Sequence, residues 1–195
     1  MTSNIESNTI AEVQAIETAR SLRTLYFTRA AFSIIWVIII SLFAKTSIGL
    51  AYILFIIYPA WDVLGTFLDI KANQNNLSKT PQYVNAAISS ITTITVIIAL
   101  QNGVTEALIV FGIWAIGTGL IQFILGLRRN KFLSGQWPMI ISGAQSVIGG
   151  TVTIITAHSA SKGIPSLAAY VAFGAFYYLL TAFRLYKTTK QASKI

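Results

Sequence analysis

The chain has 195 residues, of which 54% are hydrophobic and only 10% are charged. Soluble globular domains have about 25% charged residues, so the composition excludes that class and predicts an integral membrane protein. The net charge of +8 does not indicate nucleic acid binding, because no loop is long enough to present a groove-reading element. The absence of cysteine excludes disulfide and thiolate chemistry.

The N-terminal segment, residues 1–24, is polar and contains three glutamates, which is not the pattern of a cleaved signal peptide. Its apolar residues lie at helical spacing: Ile10, Val13, Ile16 and Leu22. This pattern predicts a cytoplasmic amphipathic helix that leads into the first span. A frayed polar tail is the alternative.

Six stretches lack aspartate, glutamate, lysine and arginine: residues 30–44, 46–61, 81–105, 107–127, 132–157 and 163–183. A helix needs about 20 mostly apolar residues to cross a bilayer, and the last four stretches reach that length directly. The first reaches it from Leu25 if the Arg29 side chain snorkels to the head groups. The second reaches it by continuing through Asp62 to Ile70. We therefore predict an all-α integral membrane bundle of six transmembrane helices over residues 25–186.

The connections before the second, fourth and sixth spans are short, so consecutive helices are expected to pair as antiparallel hairpins. The second helix of each hairpin carries a similar segment, which opens with an aromatic residue and has another three residues later. The segments are "YPAWDVLGTFLDI" at 58–70, "FGIWAIGTGLIQF" at 111–123 and "YVAFGAFYYLLTAF" at 170–183. We predict three parallel hairpin repeats, related by an axis along the membrane normal, over residues 25–70, 81–127 and 136–186.

Basic residues are concentrated on one side of the predicted bundle. Twelve of the 14 lysines and arginines lie there: Arg20, Arg23, Arg29, Lys71, Lys79, Arg128, Arg129, Lys131, Arg184, Lys187, Lys190 and Lys194. Only Lys45 and Lys162 lie on the other side. Because positively charged loops stay in the cytoplasm, both termini are expected there, including a basic tail over residues 187–195.

Two segments, "FGIWAIGTGLIQFILGLRRN" at 111–130 and "GQWPMIISGAQSVIGGTVTI" at 135–154, carry a family resemblance. They combine a helix with spaced glycines and a basic end with a helix that opens with tryptophan and continues through Ser-Gly. This pattern resembles the HdeD-like bacterial membrane proteins, which are built from short two-helix repeats and named for an acid-resistance member. "YPAWD" in the first repeat resembles one subgroup of them. The resemblance implies a non-enzymatic protein of the bacterial inner membrane with a role in envelope or acid stress.

Asp62 and Asp69 lie seven residues apart on the second span, so they share one helix face. Because carboxylates are costly in hydrocarbon, that face is expected to point into the bundle. Polar residues at similar depth on other helices predict one intramembrane cluster, which contains Asp62, Asp69, Arg29, Asn85, Gln122, Gln145 and Tyr177.

The two aspartates are expected to differ in charge. Asp69 lies near the basic end, where Arg29, Lys71 or Arg184 could pair with it. Asp62 lies about 10 Å deeper, where the sequence offers no obvious cation. We therefore predict that Asp62 is often protonated and donates a hydrogen bond to a glutamine, Gln145 or Gln122, or to a tyrosine.

Catalytic and metal chemistry find no support in the sequence. The rise of about 10.5 Å between Asp62 and Asp69 excludes a shared-proton dyad, and His158 is the only histidine. We expect no enzyme, no cofactor and no metal. The lipid bilayer is the expected partner, with a homo-oligomer or a membrane partner left open.

Three alternatives remain open at this stage. One is a small transporter or proton-coupled channel that uses Asp62, and a water path to Asp62 would favour it. Another is an interaction subunit whose N-terminal segment recruits a partner. In the third, Asp62 only fixes packing through hydrogen bonds.

A separate prediction concerns small residues at four-residue spacing, which favour close helix contact: Ala115, Gly119, Ser142, Ser146 and Gly150.

Overall fold

The computed structural model describes residues 2–72, 78–131, 133, 136–159, 161 and 163–192, with side chains described between residues 13 and 186. Within these ranges the chain is all-α. Its six long helices are α1 (Thr2–Phe43), α2 (Ile48–Ala72), α3 (Thr80–Asn102), α4 (Val104–Arg129), α5 (Trp137–Thr156) and α6 (Ala168–Ala192), and a 3-10 helix (Ile164–Leu167) precedes α6. Each contributes a span that is long and apolar enough to cross a membrane. The six-helix prediction is confirmed.

The predicted N-terminal helix and the first span are continuous, with no break between them. α1 is one uninterrupted helix, and its apolar span already begins at Val13. Ala19 and Leu22 are buried in a hydrophobic cluster with Ala182 and Leu185 of α6. No glycine or proline lies near residue 24 to end the helix. Residues from Val13 onward therefore belong to the bundle.

The C-terminal end behaves in the same way, because α6 continues through most of the predicted tail to Ala192. Residues 193–195 lie outside the described residues. The side chain of Ile10, which contributed to the predicted amphipathic pattern, also lies outside the described side chains. The amphipathic character of the N-terminal segment and the cytoplasmic position of the basic tail therefore stay predictions.

The six helices form a ring. Each helix packs against the next along the chain, and α6 packs against α1 and so closes the ring. The most extensive interfaces join α4 to α5 and α1 to α6, whereas α1 to α2 and α5 to α6 are the least extensive among neighbours. The predicted hairpins are present, but the largest interfaces lie between hairpins.

Facing glycines explain the close contact of α4 with α5. A Cβ atom on Gly119 would lie 2.9 Å from the carbonyl oxygen of Gly143 and 2.7 Å from the Cβ of Ser146. A Cβ atom on Gly150 would lie 2.5 Å from the carbonyl oxygen of Gly112. Only glycine leaves room for such an approach of two backbones. The predicted close contact through these small residues is confirmed.

The aromatic residues that open the three similar segments meet near the centre of the ring. The ring centroids of Tyr58 and Phe111 are 6.1 Å apart, and those of Phe111 and Tyr170 are 5.8 Å apart. These residues occupy equivalent positions in α2, α4 and α6. Their convergence is the arrangement expected of three parallel repeats around an axis along the membrane normal.

Two hydrophobic clusters divide the interior of the bundle along its length. We call the end where α2, α4 and α6 finish the basic end, because it carries Lys71, Arg128 and Arg184. The opposite half is a core that includes Trp36, Phe55, Phe111 and Trp114, together with Ile164 and Leu167 of the 3-10 helix. A smaller cluster at the basic end includes Leu22, Leu25, Tyr26, Met139 and Leu185.

Candidate functional site

A polar cavity of about 110 Å³ lies inside the ring. All six helices line it, through residues that include Arg29, Asp62, Gln82, Arg129, Gln145 and Tyr178. A single water needs roughly 10–15 Å³ of such space, so the cavity has room for several waters or for one small solute. The lining runs from the middle of the helices toward their basic ends.

Asp62 lies at the centre of the most connected group in the cavity. Its Oδ1 atom accepts a hydrogen bond from Arg29 Nη1 at 2.7 Å. Its Oδ2 atom accepts from Asn85 Nδ2 and from Ser89 Oγ, each at 2.7 Å. The Ser89 hydroxyl in turn accepts from Trp114 Nε1 at 2.9 Å. Three donors, one of them cationic, therefore stabilise the ionised carboxylate.

Arg29 reaches Asp62 because α2 carries a glycine where the guanidinium passes. A Cβ atom on Gly65 would lie 2.8 Å from Arg29 Nη2. The same guanidinium donates to Tyr178 Oη at 3.2 Å and to Thr66 Oγ1 at 3.5 Å. The prediction that Arg29 snorkels is therefore wrong, because its side chain points into the bundle. The prediction that Asp62 has no cation nearby is also wrong, because Arg29 is its partner.

The second ion pair joins Asp69 to Arg129, the last residue of α4. Arg129 Nη2 donates to Asp69 Oδ1, and Arg129 Nη1 donates to Tyr26 Oη at 3.1 Å. Both charged residues are buried. The predicted pairing of Asp69 with Arg29, Lys71 or Arg184 is wrong, because α4 places a different arginine beside it.

The structure brings most of the predicted cluster together, with one exception. Asn85 binds Asp62, and Gln122 and Gln145 line the cavity. Tyr177 does not line it; its ring contacts Phe176. The next residue, Tyr178, takes the predicted place. A single residue turns a helix by about 100°, so the sequence assigned the correct turn of α6 and the wrong face.

Two residues that bind the aspartates were not predicted from the sequence, although helix periodicity could have indicated them. Arg129 lies seven residues after Gln122, and Ser89 lies four residues after Asn85, so each shares a face with a predicted site residue. Arg129 was counted only as a charge at the end of a span. Its burial depends on the packing of α1 and α2 around that end.

Two cavity-lining residues carry buried polar atoms that have no hydrogen-bond partner among the described residues. They are Gln82, through both Oε1 and Nε2, and Trp61, through Nε1. Gln82 has no solvent exposure. The Trp61 ring stacks on Phe32 with the centroids 4.4 Å apart. Each of these atoms has less than 1 Å² of surface accessible to water, so they do not face the open space of the cavity.

Aromatic side chains close the cavity on the side away from the basic end. Tyr58 and Trp114 line the cavity and pack edge to face with centroids 5.8 Å apart. Beyond them lie Phe55 and Phe111, which stack with centroids 5.4 Å apart. The polar space is thus asymmetric along the membrane normal. Aromatic side chains bound it on one side, and its polar groups lie toward the basic end.

The cavity has no metal-binding constellation among the residues that the structure describes, because no three histidine, cysteine, aspartate or glutamate side chains form a group that could hold an ion. Each carboxylate in the cavity is already paired with an arginine. This arrangement provides charges and hydrogen-bond donors for binding.

Comparison of the chain with protein-family models, curated proteins and solved structures found no match. The resemblance to HdeD-like proteins therefore rests on the quoted segments.

Proposed function

We propose that the protein is a non-enzymatic membrane protein that binds a small polar solute in its central cavity and conducts it across the membrane, with Asp62 at the binding site. The observation that carries this proposal is that Asp62 lines a cavity large enough for a solute. Ionisable residues inside a membrane are costly, and those that face a cavity are typical of substrate and ion pathways.

The charges of the cavity favour a solute without net charge. Arg29 is paired with Asp62 and Arg129 with Asp69, so the two arginines and two aspartates together contribute no net charge. An ion would need a counter-charge in this low-dielectric space. A neutral solute would need only hydrogen bonds. A zwitterionic solute would need two opposite charges, which the ion pairs supply.

The closed aromatic side defines a direction for access. Tyr58 and Trp114 separate the polar space from the far half of the bundle, so solute would enter from the basic end. We place this end in the cytoplasm of a bacterial cell, because twelve of the 14 basic residues belong to it. The structure would then correspond to a cytoplasm-facing state.

Transport requires a second state, and the unequal interfaces favour one motion. The α1 and α6 helices pack extensively on each other but share the least extensive neighbour interfaces with α2 and α5. Polar contacts bridge both weak interfaces: Arg29 to Asp62 on one, and Tyr170 Oη to Ser146 Oγ at 3.2 Å on the other. We propose that α1 and α6 move as a pair when these contacts break.

A liposome flux assay tests the proposal. Purified protein is reconstituted, and swelling with small neutral solutes and proton flux with an internal pH dye are recorded. We expect solute flux in wild type and a loss of about tenfold or more in Asp62→Asn, because removing the charge breaks its pair with Arg29. Glu106→Gln, an exposed carboxylate outside the cavity, should keep the wild-type rate. Flux equal to that of empty liposomes would refute a transport role.

A role in envelope or acid stress is the second proposal, and it follows from the HdeD-like resemblance together with the three-repeat ring. A bacterial strain that lacks the protein should survive acid exposure less well than its parent. Wild type and Glu106→Gln should restore survival, whereas Asp62→Asn should not. Equal survival of all strains would refute a role in acid stress and would leave the transport proposal to be decided by the liposome assay.

A further inference from the structure

A second cavity, of about 140 Å³, lies in the half of the bundle away from the basic end. Its walls are the start of α4, the last part of α5, the 3-10 helix and the start of α6. Tyr170 lines this second cavity and also lines the polar cavity. The two cavities therefore follow one another along the bundle, and Tyr170 stands between them.

One face of α5 lines both cavities. Its lining residues recur at intervals of three or four: Met139, Ser142 and Ser146 at the polar cavity, then Gly149, Thr153 and Thr156 at the second cavity. Residues at this spacing share a helix face. From Met139 to Thr156 the helix rises about 25 Å, which is most of the hydrocarbon core of about 30 Å. The two cavities together therefore extend across most of the membrane.

The 3-10 helix and α6 line the cavities from the facing side. Ser166 lines the second cavity, Gly174 and Tyr178 line the polar cavity, and Tyr170 lines both, so the lining residues recur at every fourth position. The interface of α5 with α6 is one of the two least extensive between neighbouring helices. The cavities thus lie along an interface where little packing has to be broken.

Tyr170 closes the space between the cavities by contacts with α5. A Cβ atom on Gly149 would lie 2.8 Å from Tyr170 Cδ2, so the ring lies directly against this glycine. Tyr170 Oη donates a hydrogen bond to Ser146 Oγ at 3.2 Å. One hydrogen bond between neutral groups contributes little net stability. The contact of this side chain with α5 is therefore one that a helix motion can break.

We propose that the second cavity is the part of the solute pathway that leads away from the basic end, and that Tyr170 is the gate between it and the polar cavity. When Tyr170 leaves Ser146 and Gly149, the cavities join and solute passes along the interface of α5 with α6. This route goes around the aromatic pair of Tyr58 and Trp114. The inference rests on the proposed transport function and adds its route and its gate.

The lining of the second cavity favours uncharged solutes that donate hydrogen bonds. The hydroxyl groups of Thr153, Thr156 and Ser166 donate to backbone carbonyl oxygens at 2.8, 2.8 and 2.6 Å. Each hydroxyl oxygen keeps lone pairs that can accept from a solute. Among the residues that the structure describes, no charged side chain lines this cavity, so an ion would lose its hydration without compensation. Glycerol and urea carry suitable O–H and N–H donors without charge.

Thiol labelling from each side of the membrane tests the gate. Thr153→Cys places a thiol in the second cavity and Gly174→Cys places one in the polar cavity, in a chain that has no natural cysteine. A charged, impermeant methanethiosulfonate reagent is applied to intact cells and to inside-out vesicles. We expect the two variants to be labelled from opposite sides, because Tyr170 separates the cavities. Labelling of both from the same side, or no labelling of Thr153→Cys, would overturn the proposal.

Thr151→Cys is the matched control, because Thr151 is exposed on the same helix and lines neither cavity. Its thiol would face lipid, which a charged reagent does not enter, and should stay unlabelled. Adding Tyr170→Ala to Thr153→Cys should allow labelling from both sides. Labelling that stays one-sided in this double variant, or equal labelling of Thr151→Cys and Thr153→Cys, would contradict the gate.

Blocking the second cavity should stop flux and leave the polar cavity unchanged. Liposomes with Thr153→Cys should conduct glycerol or urea before the reagent is added and lose that flux afterwards. Ser47→Cys, exposed near the same end and outside both cavities, should be labelled without loss of flux. Persistent flux through labelled Thr153→Cys would overturn this inference, and the transport proposal would stand if Asp62→Asn still abolished flux. Wild-type flux equal to that of empty liposomes would refute both.

Discussion

Arg29 of α1 and Asp62 of α2 form a 2.7 Å ion pair across one of the two least extensive interfaces in the ring. Each side chain is 14% exposed, so water screens the pair only slightly. The ion pair therefore holds together two helices that share little other packing. It also balances the negative charge of Asp62 with the positive charge of Arg29.

Removal of one partner should cost more stability than removal of both. Arg29→Met leaves the Asp62 carboxylate without its cation and should destabilise the protein by about 3 kcal/mol. Arg29→Met combined with Asp62→Leu removes both charges and should recover most of that loss. Unfolding in detergent, followed by circular dichroism, measures the difference. A double variant that is less stable than Arg29→Met would contradict the pairing.

Infrared difference spectroscopy should show Asp62 as an ionised carboxylate at neutral pH. Its three donors, including Arg29, all stabilise the charged form. We expect Asp62→Asn to remove a carboxylate band and no protonated carboxyl band. Arg29→Met should create a protonated carboxyl band that Asp62→Asn then abolishes. A protonated carboxyl band in wild type that disappears in Asp62→Asn would instead support the prediction from sequence that Asp62 is protonated.

The contact between α4 and α5 should not tolerate a side chain at Gly150. A Cβ atom there would lie 2.5 Å from the Gly112 carbonyl oxygen, so Gly150→Leu should destabilise the bundle by roughly 1–3 kcal/mol through overpacking. Gly117→Leu is the control, because a Cβ atom at that position would come no closer than 3.9 Å to Ile88. Thermal unfolding in detergent compares the two. Equal stability of the two variants would contradict the close contact between α4 and α5.

Filling the cavity should abolish flux without unfolding the protein. Gly174 lines the cavity, and a Cβ atom there would meet nothing within 4 Å, so Gly174→Leu should fold normally while its side chain occupies the solute space. Gly49→Leu adds the same side chain in equally open surroundings outside the cavity. The liposome assay should show flux only for Gly49→Leu and wild type. Normal flux through Gly174→Leu would place the pathway elsewhere.

Membrane orientation can be tested with single cysteines, since the natural chain has none. Ser78 is exposed at the basic end, and Ser47 and Ser159 are exposed at the opposite end. An impermeant thiol reagent added to intact cells should label cysteine at positions 47 and 159, whereas position 78 should be labelled only after lysis. Labelling of position 78 in intact cells would reverse the proposed topology.

The sequence by itself determined the six helices, because the cost of burying backbone polar groups and charges in lipid requires long uncharged helical stretches. It also determined that Asp62 and Asp69 face inward, since both lie on one helix face and a carboxylate cannot face hydrocarbon cheaply. The similar segments at Tyr58, Phe111 and Tyr170 predicted the repeats, and their convergence in the ring agrees with that prediction.

Only the tertiary structure decided which partners the aspartates have. Helix periodicity tells which residues share a face, but it does not tell which helix that face meets or how each helix is rotated. The ring places Arg29 beside Asp62 and Arg129 beside Asp69, and a rotation of about 100° per residue puts Tyr178 in the cavity in place of Tyr177. Long arginine side chains can reach inward or outward from the same backbone position. Their direction depends on whether a neighbouring helix offers a carboxylate and, as Gly65 does for Arg29, the room to reach it.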